Sequence, residues 1–197
     1  MKSEDLGYHL LDTAFGVCGL AWSGRGLTRL QLPERNRLAT EERMQARGQL
    51  LAPAKPPVGV AAAVEALQRY FAGQQADFGE IELDLSDTPP FFMSIYRLTR
   101  AIGWGETATY GDLAERAGSP GSARAVGQAM ARNPLPIIIP CHRVLAANRK
   151  VGGFSAPGGT VTKERLLAME GVSLAAELPL FAALDQSRLS SSVDSRS

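Results

Sequence analysis

Residues 109–145 read TYGDLAERAGSPGSARAVGQAMARNPLPIIIPCHRVL. Thr109 and Asp112 have the spacing of a capping box, in which each side chain satisfies a backbone N–H left free where a helix starts. That predicts a short helix over 110–117. Gly118-Ser119-Pro120-Gly121 is a tight break, and a second short helix is expected over 122–132. Asn133-Pro134 ends it, because the residue before proline avoids the α region. Helix, tight turn, helix is the outline of a helix-turn-helix. Ile137-Ile138-Ile139 then forms a fully apolar run that belongs in a core and carries Pro140-Cys141-His142-Arg143 to its end.

Upstream of this stretch the character changes. The runs 8–13, 16–22 and 27–32 are short and apolar-rich, and Ala14-Phe15-Gly16 and Ser23-Gly24-Arg25-Gly26 separate them as hairpin turns do. Residues 39–48 are polar and suit an exposed helix, broken by Pro53, Pro56 and Pro57. Val60, Val64, Leu67 and Phe71 repeat at helical spacing up to Gly73. A short strand is expected over 81–85, and Asp87-Thr88-Pro89-Pro90 is the best linker. Phe91, Ile95, Leu98 and Ile102 mark another helix. Downstream lie a glycine-rich loop over 152–159 and a last helix over 162–170, stopped by Gly171. The expected class is α/β: a small β-sheet-plus-helix domain over 1–88, a mainly helical domain with the helix-turn-helix over 89–175, and a polar tail without fixed structure over 176–197.

The chain has 197 residues, 45% hydrophobic and 21% charged, which excludes a wholly disordered polymer. No apolar run approaches the roughly 18 residues of a membrane span, and the acidic start Met1-Lys2-Ser3-Glu4-Asp5 is unlike a secretory leader. Two cysteines, Cys18 and Cys141, exclude a disulfide scaffold and suit a reducing cytoplasm. With His9 and His142 they are too few for an ordinary zinc site, so no metal and no cofactor are expected. Cys18 reads as a core strand residue, His9 as structural or surface. The net charge of +1 is unevenly spread: −3 over residues 1–88, +5 over 89–171 and −1 beyond. A basic half beside an acidic one points toward a polyanion.

A free cysteine is most often a buried structural residue. A thiolate nucleophile needs a proton acceptor and a positive environment. His142 and Arg143 offer both beside Cys141, although sequence neighbours rarely face each other directly. The run Pro140-Cys141-His142-Arg143-Val144, within RAVGQAMARNPLPIIIPCHRVL, closely resembles the active-site signature of the O6-alkylguanine-DNA alkyltransferases, or methylated-DNA–protein-cysteine methyltransferases. The likeness extends back through Tyr110 and the helix-turn-helix and forward to Lys163, Leu166, Leu167, Glu170 and Gly171, about residues 89–171. The N-terminal part is similar only in outline.

The resemblance implies direct DNA repair: one alkyl group passes from O6-alkylguanine, and also from O4-alkylthymine, to Cys141, which is not regenerated. It implies that His142 takes the thiol proton through a water, that Glu170 polarises His142, and that Tyr110 hydrogen-bonds N3 of the leaving guanine. It further implies that the Cys141 and Val144 carbonyls accept from the exocyclic amine, Ser155 donates to O6, Phe154 walls the pocket, and Asn133 ties the helix-turn-helix to the active-site turn. The expected partner is double-stranded DNA held through its minor groove by a monomer, with the target base flipped out. Ser122, Ala123, Ala125 and Gly127 are the small residues allowing close approach; Arg124 fills the emptied stack, and Arg132, Arg149 and Lys150 touch phosphates. The chain departs from the family's usual pattern at Asn148, where glycine is common, at Phe154, where tyrosine is common, and in the Ala156–Gly159 loop, which looks longer. Two other readings are a sensor of alkylated DNA without repair activity, which the presence of Cys141 opposes, and a Cys-His hydrolase, which needs a separated histidine where only His9 is left.

Overall fold

Three antiparallel strands open the chain as a meander, β1 (Gly7–Thr13), β2 (Gly16–Ser23) and β3 (Gly26–Gln31), in the order β1-β2-β3. The computed structural model describes residues 6–46 and 52–174; the expected tail lies outside them. Both hairpins close on a glycine at positive φ, Gly16 at 118° and Gly26 at 133°, where a side chain would be strained. Gly26 is needed twice over, because a Cβ there would stand 2.6 Å from the Glu82 carbonyl oxygen. A register shift at Ala21/Trp22 bends β2. Its buried residues include Cys18, Leu20 and Trp22.

Helix α1 (Arg37–Gln45) begins where the Asn36 side chain accepts from the Ala39 N–H, and it buries Thr40 and Met44. Helix α2 (Val58–Phe71) buries Val60, Ala63, Ala66, Leu67, Tyr70 and Phe71. Its inner face keeps the Val60-Val64-Leu67-Phe71 stripe, with Val64 partly buried against the core, and is wider than it, so Tyr70 also points inward. The expected strand at 81–85 is not formed. Only Leu83 bridges to Leu27, with hydrogen bonds from Leu27 N–H to the Glu82 carbonyl and from Asp84 N–H to the Leu27 carbonyl. One bridge on the edge of β3 does not make a ladder.

Helix α3 (Pro90–Arg100) ends before Ile102, which is buried in the following turn. The capping box holds as read: the Thr109 side chain accepts from Asp112 N–H, and the Asp112 carboxylate accepts from Thr109 N–H, starting α4 (Tyr110–Arg116). Helix α5 (Ala123–Ala131) follows the glycine turn. A two-residue parallel ladder, β4 (Ala108–Thr109) with β5 (Val144–Leu145), pins the start of α4 to the segment after Cys141. Helix α6 (Gly159–Met169) ends in a left-handed Gly171, with the Val172 N–H bonded to the Leu167 carbonyl. The turn at Asn148 has φ of 58° and at Arg149 57°, so the asparagine supplies the left-handed residue that glycine often provides.

One contiguous apolar core runs through both halves of the chain and includes Trp22, Leu27, Tyr70, Ile95, Val126 and Ile138. The Leu30 N–H donates to the Pro134 carbonyl, and the Arg100 guanidinium donates to the carbonyls of Phe78, Gly79 and Ile81. No helix among the described residues is long and apolar enough to cross a membrane.

Candidate active site

Ile137, Ile138 and Ile139 are buried but not extended. Ile137 sits at φ 74°, an outlier for a β-branched residue that its surroundings must hold in place. The chain then turns tightly, with Cys141 N–H donating to the Ile139 carbonyl, and Cys141-His142-Arg143 form one 3₁₀ turn before β5. Asn133, just beyond α5, braces this turn. Its Nδ2 donates to the Ile139 carbonyl at 2.8 Å, and its Oδ1 accepts from Leu135 N–H at 3.0 Å. The second helix of the expected helix-turn-helix is thus tied to the cysteine.

Cys141 is 6% exposed. It borders a cavity of about 250 Å³ whose walls include Pro134, Pro136, Phe154, Ser155 and Ala156. A larger cleft between Arg69, Arg97 and Arg100 does not reach it. Burial raises the Cys141 thiol above its ordinary range, against lowering by a hydrogen bond from Asn133 and by the Lys163 charge. The resting group is therefore a thiol, and a nearby base is needed to make it a nucleophile.

Behind the cysteine lies a closed polar cluster. His142 Nε2 is 2.8 Å from Glu170 Oε1. Arg143 grips the same carboxylate through Nε at 2.8 Å and Nη2 at 3.0 Å, and its Nη1 donates to the Ile102 carbonyl. The Tyr70 hydroxyl donates to Glu170 Oε1 at 2.7 Å. Burial alone would raise the pKa of Glu170, but the bonds from His142, Arg143 and Tyr70 outweigh it and bring it to about 2. Burial lowers His142, with Glu170 pulling the other way, so the imidazole is neutral near pH 7. Glu170 occupies Nε2, so the ring proton is there. Nδ1 is a buried acceptor without a protein partner among the described residues. That is the state of a histidine ready to accept a proton.

Lys163 is fully buried, donates to the Val144 carbonyl at 2.5 Å and lies 5.8 Å from the centre of the Tyr110 ring. Burial lowers its pKa to about 8. Tyr110 is half-buried at the start of α4, so Lys163 stands between it and the Val144 carbonyl. Phe154 is half-buried and Ser155 exposed, both on the cavity. On α5, Arg124 is exposed and makes no hydrogen bond or ion pair among the described residues; Ala123, Ala125 and Gly127 are half-buried, and Ser122 caps the helix without a side-chain bond. Arg132 is exposed, its guanidinium 5.8 Å from the Phe92 ring centre; Arg149 and Lys150 are exposed. His9 is half-exposed in β1 and Cys18 fully buried in β2, where burial pushes its thiol up to about 12.

Of the expected site residues, Cys141, Asn133, Phe154 and Ser155 line this cavity and His142 and Glu170 lie behind the cysteine, whereas Tyr110 and Val144 are not in its wall and meet at Lys163; Arg124 is exposed on α5, whose other face is buried. Sequence reasoning missed Tyr70 and the grip of Arg143 on Glu170. Tyr70 carried no local signal, since an inward tyrosine on an amphipathic helix reads as packing.

The description of the 6-O-methylguanine DNA methyltransferase ribonuclease-like domain matches residues 6–85, and that of the same family's DNA binding domain matches 90–172. A methylated-DNA–protein-cysteine methyltransferase of Mycobacterium bovis is 37% identical over 174 residues, 88% of this chain and 98% of the relative. Another, from Mycolicibacterium paratuberculosis, is 46% identical over 125 residues, 64% of this chain and 73% of the relative. The crystal structure of Mycobacterium tuberculosis OGT in complex with DNA superposes with a TM-score of 0.69 at 37% identity, covering 89% of this chain and 99% of that one. The O6-methylguanine-DNA methyltransferase of Pyrococcus kodakaraensis gives 0.62 at 27% identity, covering 84% and 99%. With both of its halves matched and a relative aligned nearly end to end, the chain belongs to the 6-O-methylguanine DNA methyltransferase family.

Proposed function

We propose that this protein repairs DNA by a single, irreversible transfer of the alkyl group on guanine O6 to Cys141, and that O4-alkylthymine is a second substrate. The observation that carries this reading is a buried thiol facing a small cavity, backed by a neutral histidine whose outer nitrogen is already bound to a carboxylate. In the transfer, His142 Nδ1 receives the Cys141 proton through a bridging water, sulfur attacks the alkyl carbon in line, and the carbon–O6 bond breaks. The thiol proton is returned to the guanine ring, so guanine leaves neutral. Glu170 steadies the transient imidazolium. Tyr110 hydrogen-bonds guanine N3, the Cys141 and Val144 carbonyls accept from its amine, and Ser155 donates to O6. The Val144 carbonyl has a second lone pair for this while Lys163 occupies the first. A thioether offers water no leaving group, so each molecule acts once.

The partner is double-stranded DNA, held by a monomer through the minor groove. A thiol recessed in a cavity reaches its target only if the base leaves the stack, at a cost of about a few kcal/mol. Ser122, Ala123, Ala125 and Gly127 let α5 approach closely, Arg124 takes the vacated place, and Arg132 holds phosphate. Residues 89–175 then form the DNA-binding and acceptor domain and 1–88 a supporting one. Intact mass after incubation with a duplex containing O6-methylguanine tests the reading: one added methyl, located on Cys141, is expected. Unmodified protein, or a methyl elsewhere, refutes it.

A further inference from the structure

Tyr70 stands on the last turn of α2, in the part of the chain that carries none of the acceptor-site residues assigned above. Its ring is fully buried and packs against Phe71, Phe78, Trp104 and His142, with centroids 5.4, 6.1, 5.5 and 6.3 Å away. Packed on these sides, the ring has no room to swing. The hydroxyl lies 2.7 Å from Glu170 Oε1 and 3.2 Å from His142 Nε2. It has one proton and two neighbours able to take it.

We propose that Tyr70 is a positioning residue for the acceptor site: its hydroxyl, donated to Glu170 Oε1, holds in place the carboxylate that keeps the ring proton of His142 on Nε2. The inference rests on the reading of Cys141 and His142 given above. A bond to a carboxylate is stronger than one to a neutral ring nitrogen, so the tyrosine proton goes to Glu170. Its oxygen then shows Nε2 only lone pairs. Both neighbours of Nε2, Glu170 Oε1 and the Tyr70 oxygen, are acceptors, so Nε2 must hold the hydrogen. Nδ1 is left bare, and it is the buried atom without a protein partner. If the tyrosine turned its proton to Nε2, the ring hydrogen would move to Nδ1, and His142 could no longer take a proton from Cys141. The phenol itself stays neutral, because burial and then the charge of Glu170 raise its pKa. The charged and titratable groups facing it are Glu170, Arg143, His142 and Cys141.

The test uses full-length protein labelled with ¹⁵N-histidine. The chain has only His9 and His142, so the imidazole signals are readily separated. Wild type is expected to show His142 as the Nε2-protonated tautomer. Tyr70→Phe keeps the ring and removes the hydroxyl. With its bond to Oε1 gone, Glu170 is held less firmly against Nε2, so the His142 nitrogen signals are expected to shift, and alkyl transfer is expected to slow roughly tenfold at saturating duplex, the scale of one hydrogen bond to a charged group. Duplex affinity is expected to be unchanged. A folded Tyr70→Phe protein that keeps the wild-type nitrogen pattern overturns the proposal whatever its rate, and so does a changed pattern with an unchanged rate. Where Tyr70→Phe does not fold, 3-fluorotyrosine at position 70 replaces it, with a hydroxyl that donates more strongly. The His142 nitrogen signals are then expected to move, and unmoved signals overturn the proposal. Absence of any methyl on wild-type Cys141 refutes the function instead, and leaves the tautomer measurement standing.

Discussion

Cys141 is a thiol whose pKa burial raises, with the proposed base, His142, one residue away in sequence yet oriented by a carboxylate from the far end of α6. Cys141→Ala is therefore expected to abolish alkyl transfer while duplex binding, dominated by phosphate contacts, stays near wild type in a gel-shift or anisotropy titration. Transfer persisting at a comparable rate on Cys18 would remove the assignment, and the pKa of about 12 at Cys18 argues against that outcome. His142→Phe is expected to slow single-turnover transfer at pH 7 by the ~10²–10⁴-fold typical of general-base assistance. The deficit is expected to narrow as pH rises. Because burial lifts the thiol, the narrowing belongs above the ordinary ~8.5 of a free cysteine. A deficit that stays constant while the pH dependence of the wild-type rate shows the thiol ionising means His142 acts by packing alone.

At the level of elements, two short helices divide the labour. The capping box starts α4 and sets Tyr110 beside Val144, while α5 carries the small residues and Arg124 outward. Asn133 joins the second helix to the cysteine turn, so the helix proposed to meet DNA and the turn proposed to accept the alkyl group share one connection. Arg124 separates the two jobs experimentally. If it replaces the flipped base, Arg124→Ala is expected to cut transfer from duplex steeply while sparing transfer from free O6-benzylguanine, which needs no flipping. Arg124→Lys is expected to rescue little, since an ammonium does not stack as a planar guanidinium does. Equal losses on both substrates would place Arg124 in support of the pocket. A uniform loss of duplex binding, with the salt slope reduced by ~0.9, would make it a phosphate contact only.

Across the whole molecule, Glu170 is where the halves meet: α2 supplies Tyr70, the 3₁₀ turn supplies His142 and Arg143, and α6 ends in the carboxylate. The cluster ties stability to pH. The folded pKa of Glu170, about 2, lies below its ordinary 4.5, so its contribution is present above pH 4.5 and is lost as pH falls toward 2. His142 is also lowered from 6.5 and buried neutral. The unfolded chain binds that proton first, so stability begins to fall below about pH 6.5. The urea midpoint is expected to drop in these two stages between pH 7 and pH 3, and Glu170→Gln is expected to shrink the second, the remainder coming from Asp84 and Asp112, whose pKa values are also lowered. A midpoint flat across that range, or an unaltered second stage in Glu170→Gln, contradicts the account.

What the amino-acid sequence determined by itself is local or carried by contiguous motif. Hairpin turns, the Thr109/Asp112 cap, the glycine break, the Asn133-Pro134 stop and the Pro140–Val144 run each act over a few residues, and periodicity located α2 and α3. It overreached at 81–85, where an alternating pattern found only one partner residue on β3. It could not show that α2 turns Tyr70 inward, that Ile137 bends left-handed to present Cys141, or that Arg143 and Glu170 close on each other 27 residues apart. Those depend on which faces meet when the two halves pack around one core. A tyrosine, an arginine and a lysine carry no mark of burial until their partners are in place. The proposed chemistry at the cysteine was legible because Cys141 and His142 are neighbours in the chain; the orientation of the imidazole was decided only by the fold, which brings Glu170 to its Nε2.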